Sequence, residues 1–310
     1  MKTSPILWGV AIAALVALPP LAAALGQTYY IDLVRRIMIL AIAAVSLNLI
    51  LGYGGLVSFG HAAYLGIGAY AVGILGFYGL GNGWLHVAVA VAASSLVALA
   101  IGAISIRTSG IYFIMITLAF TQMLYYLGIS LDVYGGDDGM RLKSRSQFGG
   151  LVDLGNPVAF YYTALALMLL AVFFVHKVVN SRFGMALRAA KSNEARSRAI
   201  GFSPYPYRLA AFVMAGALCG LAGALYANHT NYITPGLMTW QQSGELMFMV
   251  ILGGMATAAG PLVGTFALLL LEEVLKGWTE YWQVILGPLL VLSVIFFRRG
   301  LAGIFNKYDA

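Results

Sequence analysis

Charged residues are scarce in this chain of 310 residues. Asp, Glu, Lys and Arg make up 9% of the sequence, whereas hydrophobic residues make up 61%. A soluble domain carries about 25% charged residues, so this composition excludes an ordinary soluble protein. It is typical of a protein that crosses a membrane several times.

Cysteine and several catalytic motifs are missing as well. The single cysteine, Cys219, excludes an internal disulfide framework and lies in an apolar run, where a small packed residue is expected. No lysine follows a glycine, so the GxxxxGK[ST] phosphate loop is absent, and any ATP that drives this protein must be bound by another polypeptide. HExxH and CxxC are absent and the histidines lack ligand spacing, so we expect no metal and no cofactor in this chain. An intramembrane enzyme is weakly supported.

The excess of basic residues needs a different interpretation from that in a soluble protein. The net charge is +7. In a membrane protein the position of Lys and Arg matters more than their sum, because basic residues concentrate in cytoplasmic loops. We therefore expect membrane lipid, and no nucleic acid, as a partner.

Apolar runs of about 20 residues predict an all-α, polytopic membrane protein that forms a single domain over residues 1–310. The first run resembles a secretory signal, but another apolar segment follows so closely that we expect a retained helix. The third segment and the closely spaced eighth and ninth are the weakest, since glycines and Pro261 in "GGMATAAGPLVG" (253–264) favour a discontinuous arrangement. The ten predicted segments are 6–25, 31–51, 56–78, 85–105, 111–131, 157–179, 209–228, 242–259, 261–276 and 283–298.

The basic residues predict the orientation. Ten passes place both termini on one side, which would hold twelve Lys or Arg against six on the other. We therefore expect both termini in the cytoplasm. Arg35 and Arg36 fit least well, and we expect them to snorkel at a helix end or to pair with a carboxylate. The twelve are Lys2, Arg107, Lys177, Arg182, Arg188, Lys191, Arg196, Arg198, Arg208, Arg298, Arg299 and Lys307.

Two loops are long enough to carry function. Residues 132–156 would form an external loop rich in Gly and Asp, and residues 180–208 a cytoplasmic loop. In the latter, Phe183, Leu187 and Ala190 recur at helical spacing, which predicts a short amphipathic helix before the stop signal at Gly201. This helix could lie against anionic lipid, or it could dock into a cytoplasmic partner with Phe183 as an apolar anchor.

Glycines and one histidine mark the stretch from Leu47 to Gly76. Small residues recur every four positions at Ser58, Ala62 and Gly66, and again at Gly216 and Gly220, which predicts close helix packing in lipid. These faces could be static, or they could slide during transport. Gly52, Gly54 and Gly55 predict a turn or helix break. "ILGYGG" (50–55) and "ILGGM" (251–255) suggest either an inverted repeat with broken helices or a chance similarity.

His61 lies within the glycine-rich stretch. It could donate to a backbone carbonyl at a broken helix, contact the translocation path, or relay protons. The first of these is favoured.

Several blocks of the sequence resemble bacterial branched-chain amino acid ABC transporter permeases of the LivM subunit family. They include "SLNLILGYGGLVSFGHAAYLGIGAY", "YGGDDG" (134–139), "GELMFMVILGGMATAAGPLVGTF" (244–266) and "SRFGMALRAAKSNEARSRAIGFSPYPYRLAAFVMAGALCGLAGALYA" (181–227). The resemblance extends from about Ala44 to Phe305. It implies a permease subunit of the bacterial cytoplasmic membrane that takes up branched-chain amino acids by alternating access. Urea or short amides, and a self-contained secondary transporter, are the alternatives.

The resemblance also implies partners and site residues. The partners are a homologous permease, cytoplasmic ATPase subunits and an external solute-binding protein. In import permeases a loop with Glu-Ala and then Gly docks on the ATPase; Glu194, Ala195 and Gly201 are the equivalents, with a spacing one residue longer than the general pattern. The complete prediction is ATPase coupling by Phe183, Leu187, Arg188, Glu194, Ala195 and Gly201, helix packing or a pathway at Ser58, His61, Ala62, Gly66, Gly216 and Gly220, and binding-protein docking at Gly135, Gly136, Asp137 and Asp138.

Overall fold

The computed structural model describes residues 5–24, 26–150, 152–296 and 300–304. Lys2, Arg298, Arg299 and Lys307, on which the predicted orientation partly depends, lie outside the described residues. The described chain is a bundle of helices with one short pair of strands, β1 (Met140–Arg141) and β2 (Tyr232–Ile233). The helices are α1 (Pro5–Ala24), α2 (Tyr29–Asn48), α3 (His61–Phe77), α4 (Gly83–Ser105), α5 (Ile111–Ile129), α6 (Pro157–Asn180), α7 (Arg182–Ser192), α8 (Glu194–Ala199), α9 (Pro204–Thr230), α10 (Trp240–Gly253), α11 (Gly260–Trp278), α12 (Trp282–Phe296) and α13 (Leu301–Ile304).

The predicted polytopic membrane protein is confirmed. Within the described residues, five helical stretches are long and apolar enough to cross a membrane, and three shorter apolar helices accompany them. Each predicted segment corresponds to one helix among α1–α6 and α9–α12. The orientation of the termini stays a prediction. The five long stretches are Tyr29–Tyr53, Gly83–Ser105, Ile111–Ile129, Pro157–Asn180 and Pro204–Thr230.

Two predicted segments differ from the helices at a glycine-rich end. The third was expected from residue 56, but α3 begins only at His61. The eighth was expected to reach residue 259, but α10 ends at Gly253. In both places apolar residues continue beyond the helix, because hydrophobicity reports burial and not helical backbone geometry.

Helix α2 lies at the centre of the bundle. Helices α6, α9, α10 and α11 pack around it, and 94% of its most apolar stretch is buried. Helix α5 is at the opposite extreme, with 22% buried and Ile111, Tyr112 and Met115 exposed. A helix that is apolar on all sides suits either the centre of the bundle or contact with lipid. The bundle therefore decides which helix occupies which environment.

The two arginines at the start of α2 pair with carboxylates, which is one of the two arrangements expected from the sequence. Arg35 is buried, forms an ion pair with Asp32 and donates from Nε to Nδ1 of His229 at 3.0 Å. Arg36 lies 4.0 Å from Glu272, which also pairs with Lys276. These pairs neutralise charges that would otherwise be costly among apolar helices.

Candidate functional site

The predicted coupling loop forms two helices, which we call the α7–α8 elbow (residues 181–203). A single amphipathic helix was expected, and this expectation was wrong: Asn193 adopts an extended conformation between α7 and α8. Its side chain accepts from the backbone N–H of Arg196 at 2.8 Å, so Asn193 is the N-cap of the second helix. Gly201 ends the elbow with φ at +84°, a conformation that favours glycine. Pro204 then opens α9.

One face of α7 anchors the elbow to the bundle. Leu187 is fully buried and Ala190 nearly so, while the ring of Phe183 is half-buried with its centroid 5.7 Å from that of Tyr207. Met185 is 56% exposed on the other side of the helix. Two of the predicted coupling residues, Phe183 and Leu187, therefore contact this chain's own helices. The other face remains available to a partner.

The exposed side of the elbow carries three further predicted coupling residues. Arg188, Ala195 and Gly201 are all exposed. A cleft of about 300 Å³ opens beside Gly201, at the end of the elbow. It is lined by Arg198, Gly201, Phe202, Ser203, Pro204 and Tyr205.

Glu194 connects α8, the second helix of the elbow, to α9. Its Oε2 accepts from Nη1 of Arg208 at 2.7 Å, and its Oε1 accepts from Nη2 of Arg198 at 2.6 Å. Burial by itself would raise the pKa of Glu194. The hydrogen bonds and charges of Arg208 and Arg198 outweigh it and hold the pKa below its ordinary value. Glu194 is thus ionised and fixed within this chain.

Close packing joins α9 to α3 and α4, as the four-residue spacing predicted. A Cβ added to Gly216 would lie 2.5 Å from the Cβ of Ala98, and one added to Gly220 would lie 2.2 Å from Oγ of Ser94. Gly66 instead faces the side chain of Met238, where an added Cβ would approach Cγ at 2.1 Å. The absent side chains let these helices approach closely.

Ser58 departs from the predicted pattern. It was placed on one helical face with Ala62 and Gly66, but it lies before α3, in the non-helical segment, so that assignment was wrong. Its Oγ accepts from the backbone N–H of Gly60 at 3.1 Å. Ala62 is in the first turn of α3, and its N–H donates to Oγ of Ser243 at 3.0 Å. Ser58 and Ala62 are both fully buried.

His61 opens α3 and is fully buried. Its Nε2 lies 2.7 Å from Oγ of Ser46, which itself donates to the carbonyl of Ala43 at 2.7 Å. A hydroxyl carries one proton, so the ring nitrogen is the donor to Ser46. The partner of His61 is therefore a hydroxyl and not the backbone carbonyl expected from the sequence. The other ring nitrogen has no partner within the described residues.

The predicted binding-protein site lies in a compact turn. Gly135, Gly136 and Gly139 all have positive φ, and Asp137 and Asp138 are exposed between them. The phenol of Tyr232 donates to the backbone carbonyl of Asp138. Strands β1 and β2 pair antiparallel beside this turn, so they join the segments 132–156 and 228–242 into one surface.

A basic cleft of about 800 Å³ adjoins that surface. The sequence does not mark these residues as a site, because Arg141, Lys143 and Arg145 are spread along a loop whose path the sequence leaves open. The cleft is lined by Arg141, Leu142, Lys143, Ser144, Arg145, Thr230, Asn231 and Tyr232.

The contacts that hold the backbone breaks together were not predicted from the sequence either. Asn48 is buried at the end of α2, and its Nδ2 donates to the carbonyl of Thr257 at 2.9 Å. Its Oδ1 accepts from the N–H of Ala256 at 3.0 Å. The break after α2 thereby meets the break between α10 and α11. The similarity of "ILGYGG" and "ILGGM" pointed to these two places, but nothing in it pointed to Asn48.

Comparison with protein families identifies the chain's relatives. The family model for the branched-chain amino acid transport system permease component matches residues 29–294. The match therefore covers the whole bundle from α2 into α12. No solved structure matches the chain significantly.

Individual relatives agree with this match. The permease protein LivM of the high-affinity branched-chain amino acid transport system of Escherichia coli K12 is 28% identical over 87% of this chain and 69% of its own length. Permease protein LivH of the same organism is 24% identical over 90% of this chain and 92% of its length. The autoinducer 2 import system permease protein LsrC of Yersinia pseudotuberculosis is 25% identical over 56% of this chain and 50% of its length.

Proposed function

Because the chain belongs to the family of branched-chain amino acid transport permease components, we propose that it is the membrane subunit of an ATP-driven importer for these aliphatic amino acids. It forms one half of a transmembrane pathway in the bacterial cytoplasmic membrane. ATP is bound and hydrolysed by separate cytoplasmic subunits. An external solute-binding protein delivers the cargo.

The α7–α8 elbow is the observation that carries this proposal. Leu187 and Phe183 fix its inner face to the bundle, and Glu194 ties it to α9 through Arg208. Its outer face presents Met185 and Arg188 to a partner. A small helical unit that is rigidly attached and exposed on one side suits the transmission of force from a soluble subunit to the bundle.

Similarity to two permeases of one transport system supports a homologous partner. LivM and LivH of Escherichia coli carry names from the same high-affinity branched-chain amino acid transport system, and both match most of this chain. We infer that this subunit pairs with a second permease related to it in sequence. The pathway then lies between two similar bundles.

Alternating access would use the closely packed helices. A movement of the elbow reaches α9 directly, and α9 packs against α3 and α4 through Gly216, Gly220 and Gly223. Close packing of backbones favours discrete rearrangements over gradual deformation. Displacement of α9 therefore re-orients α3 and α4 with it.

Substitution of two elbow residues tests the proposal in a reconstituted importer. Glu194→Lys places a cation opposite Arg208, and Phe183→Ala removes the ring that packs on Tyr207. We expect both variants to lose most ATP-dependent uptake in proteoliposomes and to retain less ATPase on co-purification. Phe173→Ala is the matched control, because Phe173 is 58% exposed on α6. Uptake and ATPase association at the unmodified level in both elbow variants would refute the docking role.

A second experiment separates the proposal from a self-contained secondary transporter. The purified chain is reconstituted alone and supplied with a proton or sodium gradient. We expect no amino acid flux without the ATPase, because in the proposed importer ATP bound by separate subunits is the energy source, and this chain has no phosphate loop of its own. Gradient-driven flux by the chain alone would overturn the proposal.

Competition of leucine uptake by valine, urea and acetamide then distinguishes the cargo classes.

A further inference from the structure

Lys191 reaches from the end of α7 into the break after α2. It lies in the last turn of α7, and its Nζ donates to the backbone carbonyl of Gly52 at 2.6 Å. A hydrogen bond from an ammonium group is stronger than one between neutral groups. The contact joins the elbow to the centre of the bundle, since α2 is the most enclosed of the long apolar helices.

The carbonyl of Gly52 is available because α2 ends in a π-helical turn, Leu49–Tyr53. The preceding carbonyls are taken by the backbone: Leu49 accepts from Gly54 at 3.2 Å, and Ile50 accepts from Leu56 at 2.9 Å. Lys191 supplies the donor for Gly52 itself. Single π-helical turns inside helices are frequent at functional sites.

Two missing side chains make room at this break, that of Gly55 for Lys191 and that of Gly52 for Asn48. Gly55 has φ at +71°, and a Cβ there would lie 2.8 Å from Cγ of Lys191, so the stem of the lysine crosses the glycine backbone. A Cβ on Gly52 would lie 2.1 Å from Oδ1 of Asn48 and 2.5 Å from the nitrogen of Ala256. Alanine at either position would displace a neighbour.

Asn48 extends the connection to the second break. It sits one turn before Gly52 and bonds both Ala256 and Thr257, in the segment between α10 and α11. That segment is itself tightly turned, with Ala256 at φ +58°. A displacement of the Gly52 backbone therefore displaces Asn48 and the α10–α11 turn.

Lys191 is not needed to attach the elbow. Leu187 and Ala190 are already buried against the bundle, and Nη2 of Arg208 donates to the carbonyl of Ala190 at 3.2 Å. Lys191 as a whole is exposed. Its hydrogen bond to Gly52 therefore adds a directed link to an elbow that is held by other contacts.

We propose that Lys191 transmits movement of the α7–α8 elbow to the paired helix breaks at Gly52 and Ala256. This inference rests on the proposed function, because it assumes that an ATPase moves the elbow. It goes further by naming the contact that carries the movement from the elbow to α2. Without the Lys191 contact, the ATPase would still bind and hydrolyse ATP, but the backbone at Gly52 and Ala256 would not move with the elbow.

The test is the number of cargo molecules transported per ATP hydrolysed by the reconstituted importer. Lys191→Met keeps an unbranched stem and removes the donor, and Lys191→Arg keeps a cationic donor. We expect Lys191→Met to retain ATPase association and hydrolysis but to lose at least about tenfold in transport per ATP. We expect Lys191→Arg to recover most of the coupling. Arg196→Met is the matched control, because the Arg196 side chain makes no hydrogen bond within the described residues.

Hydrogen–deuterium exchange provides a second readout that does not depend on transport. In the unmodified importer, we expect ATP to change exchange at residues 48–57 and 254–259. In Lys191→Met, that ATP-dependent change should disappear while exchange without nucleotide stays the same.

The outcomes separate this inference from the proposed function. If the unmodified importer shows no ATP-dependent uptake, the proposed function fails. If the unmodified importer is active and Lys191→Met transports as much per ATP, Lys191 is not the transmitting residue. Loss of ATPase association in Lys191→Met would also overturn the inference, because it would make Lys191 a docking residue instead.

Discussion

Two glycine-rich regions of this protein use glycine for different reasons. In the packing of α9 against α3 and α4, the glycines lie inside regular helices, and an added Cβ on Gly223 would lie 1.9 Å from the carbonyl oxygen of Leu65. At the paired breaks, Gly55 has positive φ and Gly52 leaves space for Asn48. The first region needs the missing side chain for helix approach. The second needs it for an irregular backbone and for the polar groups that bind it.

This difference has an energetic meaning. Glycine inside a helix costs about 1 kcal/mol relative to alanine, and the close contacts of α9 must offset that cost. At the breaks, buried backbone groups need partners, and Asn48 and Lys191 supply them. Damage to the first region should affect stability, whereas damage to the second should affect transport as well.

The largest effect is expected for Gly223→Ala, at the centre of the helix packing. The added Cβ meets the backbone of α3, which cannot move aside like a side chain. We expect a loss of about 3 kcal/mol in the free energy of unfolding, measured in detergent. Gly277→Ala in α11 is the control, because an added Cβ there meets no atom of the described residues within 4 Å, and the variant should be neutral or slightly stabilised. Equal stabilities of the two variants would show that α9 does not need the missing side chain of Gly223 to approach α3.

Gly52→Ala should be the next most damaging change. Its Cβ would collide with the side chain of Asn48, so the bonds to Ala256 and Thr257 would be lost. We expect the free energy of unfolding, measured in detergent, to fall by about 2 kcal/mol. A double-mutant cycle with Asn48→Ala should give a coupling energy of about 1 kcal/mol, since the second change makes room for the new methyl group. Additive effects would contradict the contact between Gly52 and Asn48.

Ser46→Ala tests the polar contact between α2 and the start of α3. The substitution leaves Nε2 of His61 buried without its partner. We therefore expect the free energy of unfolding to fall by about 2 kcal/mol. Ser95→Ala is the control, because among the described residues the hydroxyl of Ser95 bonds only within its own helix, to the carbonyl of Val91 at 2.6 Å. Thermal unfolding of both variants gives the comparison. A Ser46→Ala protein as stable as the control would show that His61 finds another partner.

The smallest effect is expected at the elbow, from the titration of Glu194. Its pKa in the folded protein lies below the ordinary value of 4.5, so its ion pairs stabilise the fold above that pH. As the pH falls through the folded pKa, Glu194 is protonated and this stabilisation is lost. Acid unfolding curves of Glu194→Gln should lack the loss of stability that protonation of Glu194 causes. At neutral pH, the free energy of unfolding of this variant should differ from that of the unmodified protein by under about 1 kcal/mol. Identical acid profiles would show that the ion pairs contribute nothing.

Much of the architecture was accessible from the sequence. Apolar runs predicted one helix for each of the ten segments, because a chain in lipid must satisfy its backbone hydrogen bonds within helices. Four-residue spacing of small residues predicted the faces at Gly216 and Gly220. The same rule failed at Ser58, because spacing alone does not reveal that the chain before His61 leaves the helix.

The sequence by itself determined the membrane environment, the helices and the family resemblance, since each depends on composition or on local spacing. The tertiary structure alone decided which of the equally apolar helices is enclosed and which glycines meet backbone. It also decided that Lys191 and Asn48, which are 143 positions apart in the sequence, bind the two paired breaks, Lys191 at Gly52 and Asn48 at Ala256. These facts depend on contacts between distant parts of the chain, and a hydrogen bond to a backbone carbonyl leaves no pattern in the residues that flank it.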